Sequence, residues 1–523
     1  MHSRIKLVAA LGILTVVLAC NDKQFLTEQP FDFIGPTNFY RNAGDALAAI
    51  NGVYADFING TGDNYYGRNF VMLVEYPTEM WTSRLSATNE RSQPDNYSIP
   101  LSHSYVQSVW ASAYDAINRA NAVLDHVPNI DMDATLRDRI VAEAKFLRAL
   151  HYFNLVRLFG DVPLKLHETS GLDSLALPRS PAADVYAQIV KDLQDAIAVL
   201  PSAKTYKGTD IGRASKGAAK TLLAKVYLQR AGTGVGTAAD WQASLDLSRQ
   251  VQADGDYSLV PDFKSLFDFI GGTVKEQNSE VIFDIQNIRA PGLGGRISSH
   301  MAANATAPFL GASTNGSFEA ESIWFHSFRA DDKRRDGTFV FSWNKGGTTV
   351  TWDETKTASQ PYASETPFPR KFLDPQMTGT GAEEPNYIIL RYAEVLLMTA
   401  EAANEVSGGP TAEAYAAINA VRARAGIPAL TPGLSHDLFR DSVFVERRWE
   451  LALEGPNGYF DSQRNWAWAK ARVEQSMAHA NSKTSKFPKA NNGPIPDKYK
   501  LMPIPQRARD LNPLLTQNPG WGS

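Results

Sequence analysis

A chain of 523 residues with 43% hydrophobic and 21% charged side chains has the composition of a globular protein and enough apolar material for a large core. The length corresponds to about two to four domains, or to one large helical body. A formal charge of -4 gives no sign of the concentrated basic face that phosphate binding needs, so no nucleic-acid partner is expected.

Residues 1–20 form a separate object. Arg4 and Lys6 precede an apolar run, Leu7 to Leu18, that is too short to span a bilayer as a mature helix. The run closes on Val17-Leu18-Ala19-Cys20, which resembles a bacterial lipobox with Val in place of the commoner Leu. That motif implies cleavage before Cys20 and diacylation of its thiol. Residues 1–19 are then a signal peptide and 20–40 a lipid anchor and tether. Cys20 is the only cysteine, so no internal disulfide can form and stability must come from the core. Two acyl chains, at about 0.8 kcal/mol per buried methylene, make a stable tether. No later segment is long and apolar enough to span.

The first predicted helix covers Gly44 to Ile58, with Leu47, Ile50, Tyr54 and Phe57 at helical spacing. A Gly-, Asn- and Tyr-rich stretch follows and reads as loop through Trp81 to about Pro100. Then come dense helical patterns. "YVQSVWASAYDAINRANAVLDHV" places Val106, Trp110, Ala113, Ile117 and Leu124 near one face. "RIVAEAKFLRALHYFNLVRLFGDVPL" is stopped by Gly160, with Pro163 just beyond. "SPAADVYAQIVKDLQDAIAVLP" offers Ser180 as N-cap and Pro181 at the first helical position. "GRASKGAAKTLLAKVYLQRAG" and "AADWQASLDLSRQVQADGDYSL" form a pair whose small residues allow close approach. "LRYAEVLLMTAEAANEVSGGPTAEAYAAINAVRARAGI" repeats the helix-turn-helix logic. The periods are irregular, so the units are tetratricopeptide-like (TPR-like).

Between Asp256 and Pro385 the helical signal fades. "SEVIFDIQN" reads as a strand, and "DGTFVFSWNKGGTTVTWDE" as a hairpin around Gly346-Gly347. A region this long and irregular is either functional or a cap over the helical body.

The charged and glycine-rich motifs point to scaffold more than to chemistry. Glu446, Glu450 and Glu454 share one helix face, and paired carboxylates are what glycoside hydrolysis needs. They sit among Arg447, Arg448, Trp449 and leucines, so pairing with arginines of neighbouring helices is expected. Arg391 and Glu394 are expected to lock helices together. The 9 histidines show no zinc-helix spacing. "GTDIG" and "GTGVGT" lack a P-loop lysine. "RADDKRRDGT" is acidic but interleaved with basic residues and supports no calcium loop. No catalytic residue, metal or cofactor is expected.

Seven segments in order, "EAKFLRALHYFNLVRLFGDVPL", "SPAADVYAQIVKDLQDAIAVLP", "GRASKGAAKTLLAKVYLQRAG", "ILRYAEVLLMTAEAANEV", "INAVRARAGI", "VFVERRWELALEG" and "LMPIPQRARDLNPLLTQNPGW", resemble the SusD/RagB family. "NDKQFLTEQP" after Cys20 is similar to the start of its lipoproteins. One departure is "LEGPNGYFDSQR", where members usually carry Arg near Asn457.

The resemblance implies a mainly α fold, a TPR-like helical-pair scaffold with an irregular, loop-rich ligand-binding half containing short strands. It places a SusD-like domain over 41–523. Helical parts fall at about 41–58, 104–256 and 386–480, and loop-rich insertions at about 59–103 and 257–385. It implies an outer-membrane lipoprotein facing the cell exterior. Such a protein binds a nutrient, most often a glycan, and caps a SusC-like TonB-dependent barrel. Peptide cargo, a peptide-binding TPR adaptor and a glycan hydrolase are the alternatives.

Sugar rings stack on indoles and phenols, while their hydroxyls take polar side chains. On that chemistry Trp81 is the first ligand-binding candidate. It lies in a predicted loop where the glycan-binding relatives carry a stacking Trp. Arg84, Asn96 and Tyr97 lie in the same stretch. Tyr65, Tyr66, Trp324 and Trp343 are further candidates.

Overall fold

The computed structural model describes residues 39–58, 65–83, 85–86, 88–171, 175–269, 278–290, 292–301, 316–345, 348–353, 366–379, 381–454, 457–482 and 493–522. Cys20, residues 21–38 of its tether and Arg84 lie outside the described residues.

The fold is mostly helical. Helix α1 (Ala43–Ala55) is capped by Asn42, whose side chain accepts from Asp45 N at 3.1 Å, and it buries Ala46, Ile50 and Val53. Short α2 (Asn69–Glu75) follows. Then α3 (Ser104–His126), α4 (Ala134–Phe159), α5 (Ala182–Val199), α6 (Lys216–Thr233) and α7 (Ala238–Asp254) each pack on the one before. α4 is the axis of this layer, because every residue from Phe146 to Phe159 is buried. Gly160 ends it at φ 70°, where a Cβ would lie 3.0 Å from Leu501 Cδ1.

The chain then leaves the helical layer. Short α8 (Ile297–Met301), α9 (Ser322–Ser327) and α10 (Arg334–Thr338) belong to the excursion. It returns with α11 (Tyr392–Ser407), which packs on α7, and with α12 (Ala412–Ala425) and α13 (His436–Leu451), which pack on α11. The layer therefore continues across the insertion. α14 (Asn457–Arg464), α15 (Trp466–Ser482) and α16 (Gln506–Leu511) complete the helices. Among the described residues no helix is long and apolar enough to cross a membrane.

The described strands are β1 (Trp81–Ser83), β2 (Val281–Ile285), β3 (Phe318–Ala320), β4 (Phe339–Val340), β5 (Ser342–Lys345), β6 (Thr348–Thr351), β7 (Phe368–Pro369) and β8 (Tyr387–Arg391). They form antiparallel pairs β1-β3, β2-β8, β4-β7 and β5-β6. β2 is the strand read from "SEVIFDIQN". β5 and β6 are the predicted hairpin, with Lys345 opposite Thr348.

Two local expectations are corrected. The N-terminus of α5 begins at Ala182, and Pro181 takes the cap position. Ser180 is instead bridged to Val162 through backbone bonds of 3.0 and 3.2 Å, and Asp161 Oδ1 accepts from Ala182 N at 2.7 Å. The stretch read as loop up to Pro100 contains α2 and β1. α2 is buried from Asn69 to Glu75, so an apolar run of this kind carries no one-sided periodicity to reveal it.

A buried ionic seam joins the helical layer to the insertion. Glu450 accepts from Arg334 at 3.2 Å, from Arg391 at 2.5 Å and from Arg424. Glu446 binds Arg334 at 2.6 Å and Arg422 at 2.7 Å, and Glu454 binds Lys371 at 2.6 Å and Arg391. The three glutamates thus pair with arginines of neighbouring elements, as their setting predicts. Arg391 and Glu394 both lock elements together, but not to each other. Arg391 reaches Glu280 at 2.7 Å, while Glu394 is held by Lys225 at 2.8 Å and Arg447 at 3.1 Å. Burial alone would push the Glu450 carboxyl up, yet Arg424, Arg391 and Arg334 hold it well below the usual carboxylate range.

Candidate functional site

Three helices present one face each to a groove of about 220 Å³. α13 contributes Val445, Arg448 and Trp449, an i, i+3, i+4 set. α15 contributes Trp468, Arg472, Gln475 and Ser476 at the same kind of spacing. α9 adds Ile323, Trp324 and Ser327, and Glu79 closes the floor.

The polar groups of the groove are fixed by one another. Trp449 Nε1 donates to Ser327 Oγ at 2.9 Å, and Ser327 Oγ donates to Trp324 O at 2.6 Å. Arg448 Nε donates to Glu79 Oε1 at 2.9 Å, and its Nη2 donates to Ser462 Oγ at 2.8 Å. Arg472 lies over the Trp468 ring, 4.3 Å from its centre. Among the described residues, Glu79 Oε2 and Trp324 Nε1 have no hydrogen-bond partner. The groove thus combines two partly exposed indoles with guanidinium, amide and hydroxyl groups on rigid helices. That set can stack a ring and bind its hydroxyls. Among the described residues no cluster of His, Cys, Asp or Glu could hold a metal ion.

The structure moves most predicted ligand contacts into the core. Trp81 is 0% exposed, in a strand and not a loop, so it has no free face for a sugar. Its ring packs edge-on against Trp324 at 5.0 Å and against Phe318 at 6.3 Å. Tyr65 and Tyr66 are buried, and Asn154 Nδ2 donates to their hydroxyls at 2.8 and 2.7 Å. Asn96 is buried and donates to Ser92 O at 2.8 Å. Tyr97 is buried against Tyr499, with ring centres 5.1 Å apart, and Trp343 is buried against Phe368. The aromatic candidates share one reason. In a half with few regular elements, large rings supply the apolar area that helical stripes supply elsewhere. Of the candidates within the described residues only Trp324 lines the groove, and Trp81 stands directly behind it. Sequence reading missed Trp449 and Trp468. Their signal was the helical spacing that sets Arg448 beside Trp449 and Arg472 one turn after Trp468.

Comparison with known proteins agrees with this architecture. A sequence model described as the SusD family matches residues 311–521, and one described as starch-binding associating with outer membrane matches residues 46–228. The chain is 28% identical to SusD-like protein P2 of Formosa agariphila, over 97% of this chain and 98% of that one. It is 28% identical to the starch-binding protein SusD of Bacteroides thetaiotaomicron, over 39% of this chain and 35% of that one. The crystal structure of a SusD homolog from Bacteroides thetaiotaomicron superposes with a TM-score of 0.80 at 28% identity, covering 92% of this chain and 98% of that one. With family models matching its two ends in order and a shared fold running through nearly the whole length, the chain belongs to the SusD family.

Proposed function

We propose that this protein binds a glycan in the groove between α9, α13 and α15 and delivers it to a SusC-like TonB-dependent barrel in the outer membrane. The observation that carries the reading is the pairing of Trp449 and Trp468 with Arg448, Arg472 and Gln475 along one groove. The starch-binding descriptions of its family and of a relative support a glycan as the cargo. The lipobox-like Cys20 supports attachment by lipid at the exterior face. For the barrel, support comes from an apolar patch on the helical half. There Leu175 and Leu511 stand exposed beside Trp110 and Tyr114.

The reading is of binding without turnover. Glu446, Glu450 and Glu454 are engaged by arginines and Lys371 in the core, which supports a scaffold role for this carboxylate row. The test is calorimetric titration of the mature protein with a neutral α-glucan oligosaccharide. Trp449→Ala and Trp468→Ala should each weaken binding about tenfold, equivalent to 1.4 kcal/mol. Unchanged affinity in both variants would remove the groove from the function. Release of shorter sugars would turn the reading to a hydrolase, and binding of peptides alone would change the cargo.

A further inference from the structure

A second cavity, of about 610 Å³, lies on the helical half and shares no lining residue with the aromatic groove. It opens between the end of α4, the start of α5, the end of α6 and the segment around Lys500 to Pro519. Its charge is one-sided. Arg157, Arg179 and Lys500 line it, and the one carboxylate in its lining is Asp161. Asp161 Oδ1 is already engaged by Ala182 N at 2.7 Å.

Arg157 is the group that asks for a partner. It is only 4% exposed, and its guanidinium lies between the rings of Phe153 and Phe460, at 3.7 and 3.9 Å. Nε donates to Phe153 O at 3.1 Å and Nη2 to Asn154 Oδ1 at 2.7 Å. Among the described residues Nη1 makes no hydrogen bond, and no carboxylate forms an ion pair with Arg157. Glu394, whose charge it feels, is taken by Lys225 at 2.8 Å and Arg447 at 3.1 Å. Burial lowers the Arg157 pKa to about 10, as expected of a desolvated cation without a counter-ion in contact.

The rest of the lining suits an anion. The Tyr186 ring is 3% exposed, and among the described residues its hydroxyl has no hydrogen-bond partner. Arg179 donates to carbonyls and amides, including Phe159 O at 3.3 Å and Asn518 Oδ1 at 2.5 Å, and to no carboxylate. A buried guanidinium held flat by two rings is prepared for an oxyanion, since charge-assisted bonds of this kind are about twice as strong as neutral ones. The volume exceeds the needs of a lone ion and falls within the range of small-ligand pockets, about 300–1,000 Å³.

We propose that this cavity is a subsite for a carboxylate-bearing sugar of hexuronate size, with Arg157 Nη1 and the Tyr186 hydroxyl donating to the carboxylate and Lys500 at the mouth. The proposal uses residues separate from the aromatic groove and does not depend on the glycan reading there.

The test is calorimetric titration of the mature protein with sodium glucuronate, glucose and sodium sulfate in turn. Each is repeated on Trp449→Ala, so that stacking in the groove is not counted. Glucuronate should bind, glucose should not, and sulfate should bind more weakly than glucuronate. Arg157→Gln should abolish glucuronate binding. Because that change also touches a packed guanidinium, Tyr186→Phe and Lys500→Ala are read beside it. Tyr186→Phe removes only a hydroxyl without a protein partner. Each should weaken glucuronate binding several-fold with an unchanged melting temperature. Equal response to glucose and glucuronate would overturn the assignment, as would sulfate binding without glucuronate binding. So would glucuronate affinity that both single variants leave untouched, or that falls only in Trp449→Ala.

Discussion

The seam beneath α13 and the wall beneath the groove are neighbours in the fold, yet one is built from charge and the other from rings. At the seam Arg334, Arg391 and Arg424 converge on Glu280, Glu446, Glu450 and Glu454, all almost without solvent. At the wall Trp81, Trp324, Phe318 and Phe339 meet edge to face, with hydrogen bonding almost absent from their contacts. The seam must hold a register between helices and insertion, and directional bidentate pairs do that well. The wall must offer a firm backing to a surface groove, and close-packed rings do that without needing a partner for every atom. One helix, α13, serves both. Its Glu446 and Glu450 face the seam, and its Val445 and Trp449 face the groove.

The hardest blow to the charged region is Arg391→Ala. It takes one cation from each of Glu280, Glu450 and Glu454, which keep Arg424, Arg334 with Arg424, and Lys371 respectively. Breaking one buried pair costs about 3–5 kcal/mol, and the remaining cations offset part of the further loss, so the cost should fall within that range. Urea unfolding of the variant measures it. A midpoint within error of the parent would mean that the seam is dispensable.

Trp81→Ala is the matching blow to the aromatic region. Truncating a fully buried Trp should cost about 3–5 kcal/mol. It should also loosen Trp324 and so weaken groove binding indirectly, whereas Trp81→Phe should recover most of both. Thermal melting and glycan titration on the two variants check this. Lost affinity with full stability in Trp81→Ala would restore Trp81 as a direct contact.

The two regions differed in how far the sequence exposed them. The helical pairs were legible because apolar residues recur every three or four positions and Gly160 marks a stop. The glutamate row was legible as ion-paired because arginines and leucines flank it. The burial of Trp81 was not. It depends on β1 pairing with β3, which sets Trp81 opposite Ala320, far along the chain. A three-residue strand carries no periodicity that could announce such a pairing. The groove was half legible. The spacing of Trp449 and Trp468 was present on helices, but no local feature showed that those two faces meet.

Glu75 sharpens the contrast from a third position. It is 0% exposed in α2, and burial raises its pKa to about 8, with Arg448 and Lys371 opposing only in part. A carboxyl whose folded pKa lies above its unfolded value favours the fold fully below the ordinary carboxyl range. That contribution is then lost as pH rises towards about 8. The seam behaves oppositely, since Glu450 is held low by arginines and loses its contribution on acidification. Glu75→Gln should therefore flatten the decline in stability between about pH 5 and pH 8 and stabilise the fold by on the order of 1–3 kcal/mol at the upper end. Denaturant midpoints across that window decide it, and an unaltered slope would place the charge elsewhere.

The mildest change separates ring from hydrogen bond at the groove itself. Trp449→Phe keeps an aromatic face but removes the N–H that donates to Ser327 Oγ at 2.9 Å. A single hydrogen bond contributes about 0.5–1.5 kcal/mol, and this one, made to an exposed serine, should sit at the low end. Stability should fall by about that amount, and Ser327→Ala should cost at least as much, because it also removes the donation to Trp324 O; the double change should fall short of the sum of the two, since they share one bond. Glycan affinity should drop less in Trp449→Phe than in Trp449→Ala, since the stacking face survives. Equal loss of affinity in the two Trp449 variants would mean that the indole N–H positions the groove, and that the ring face contributes little to binding.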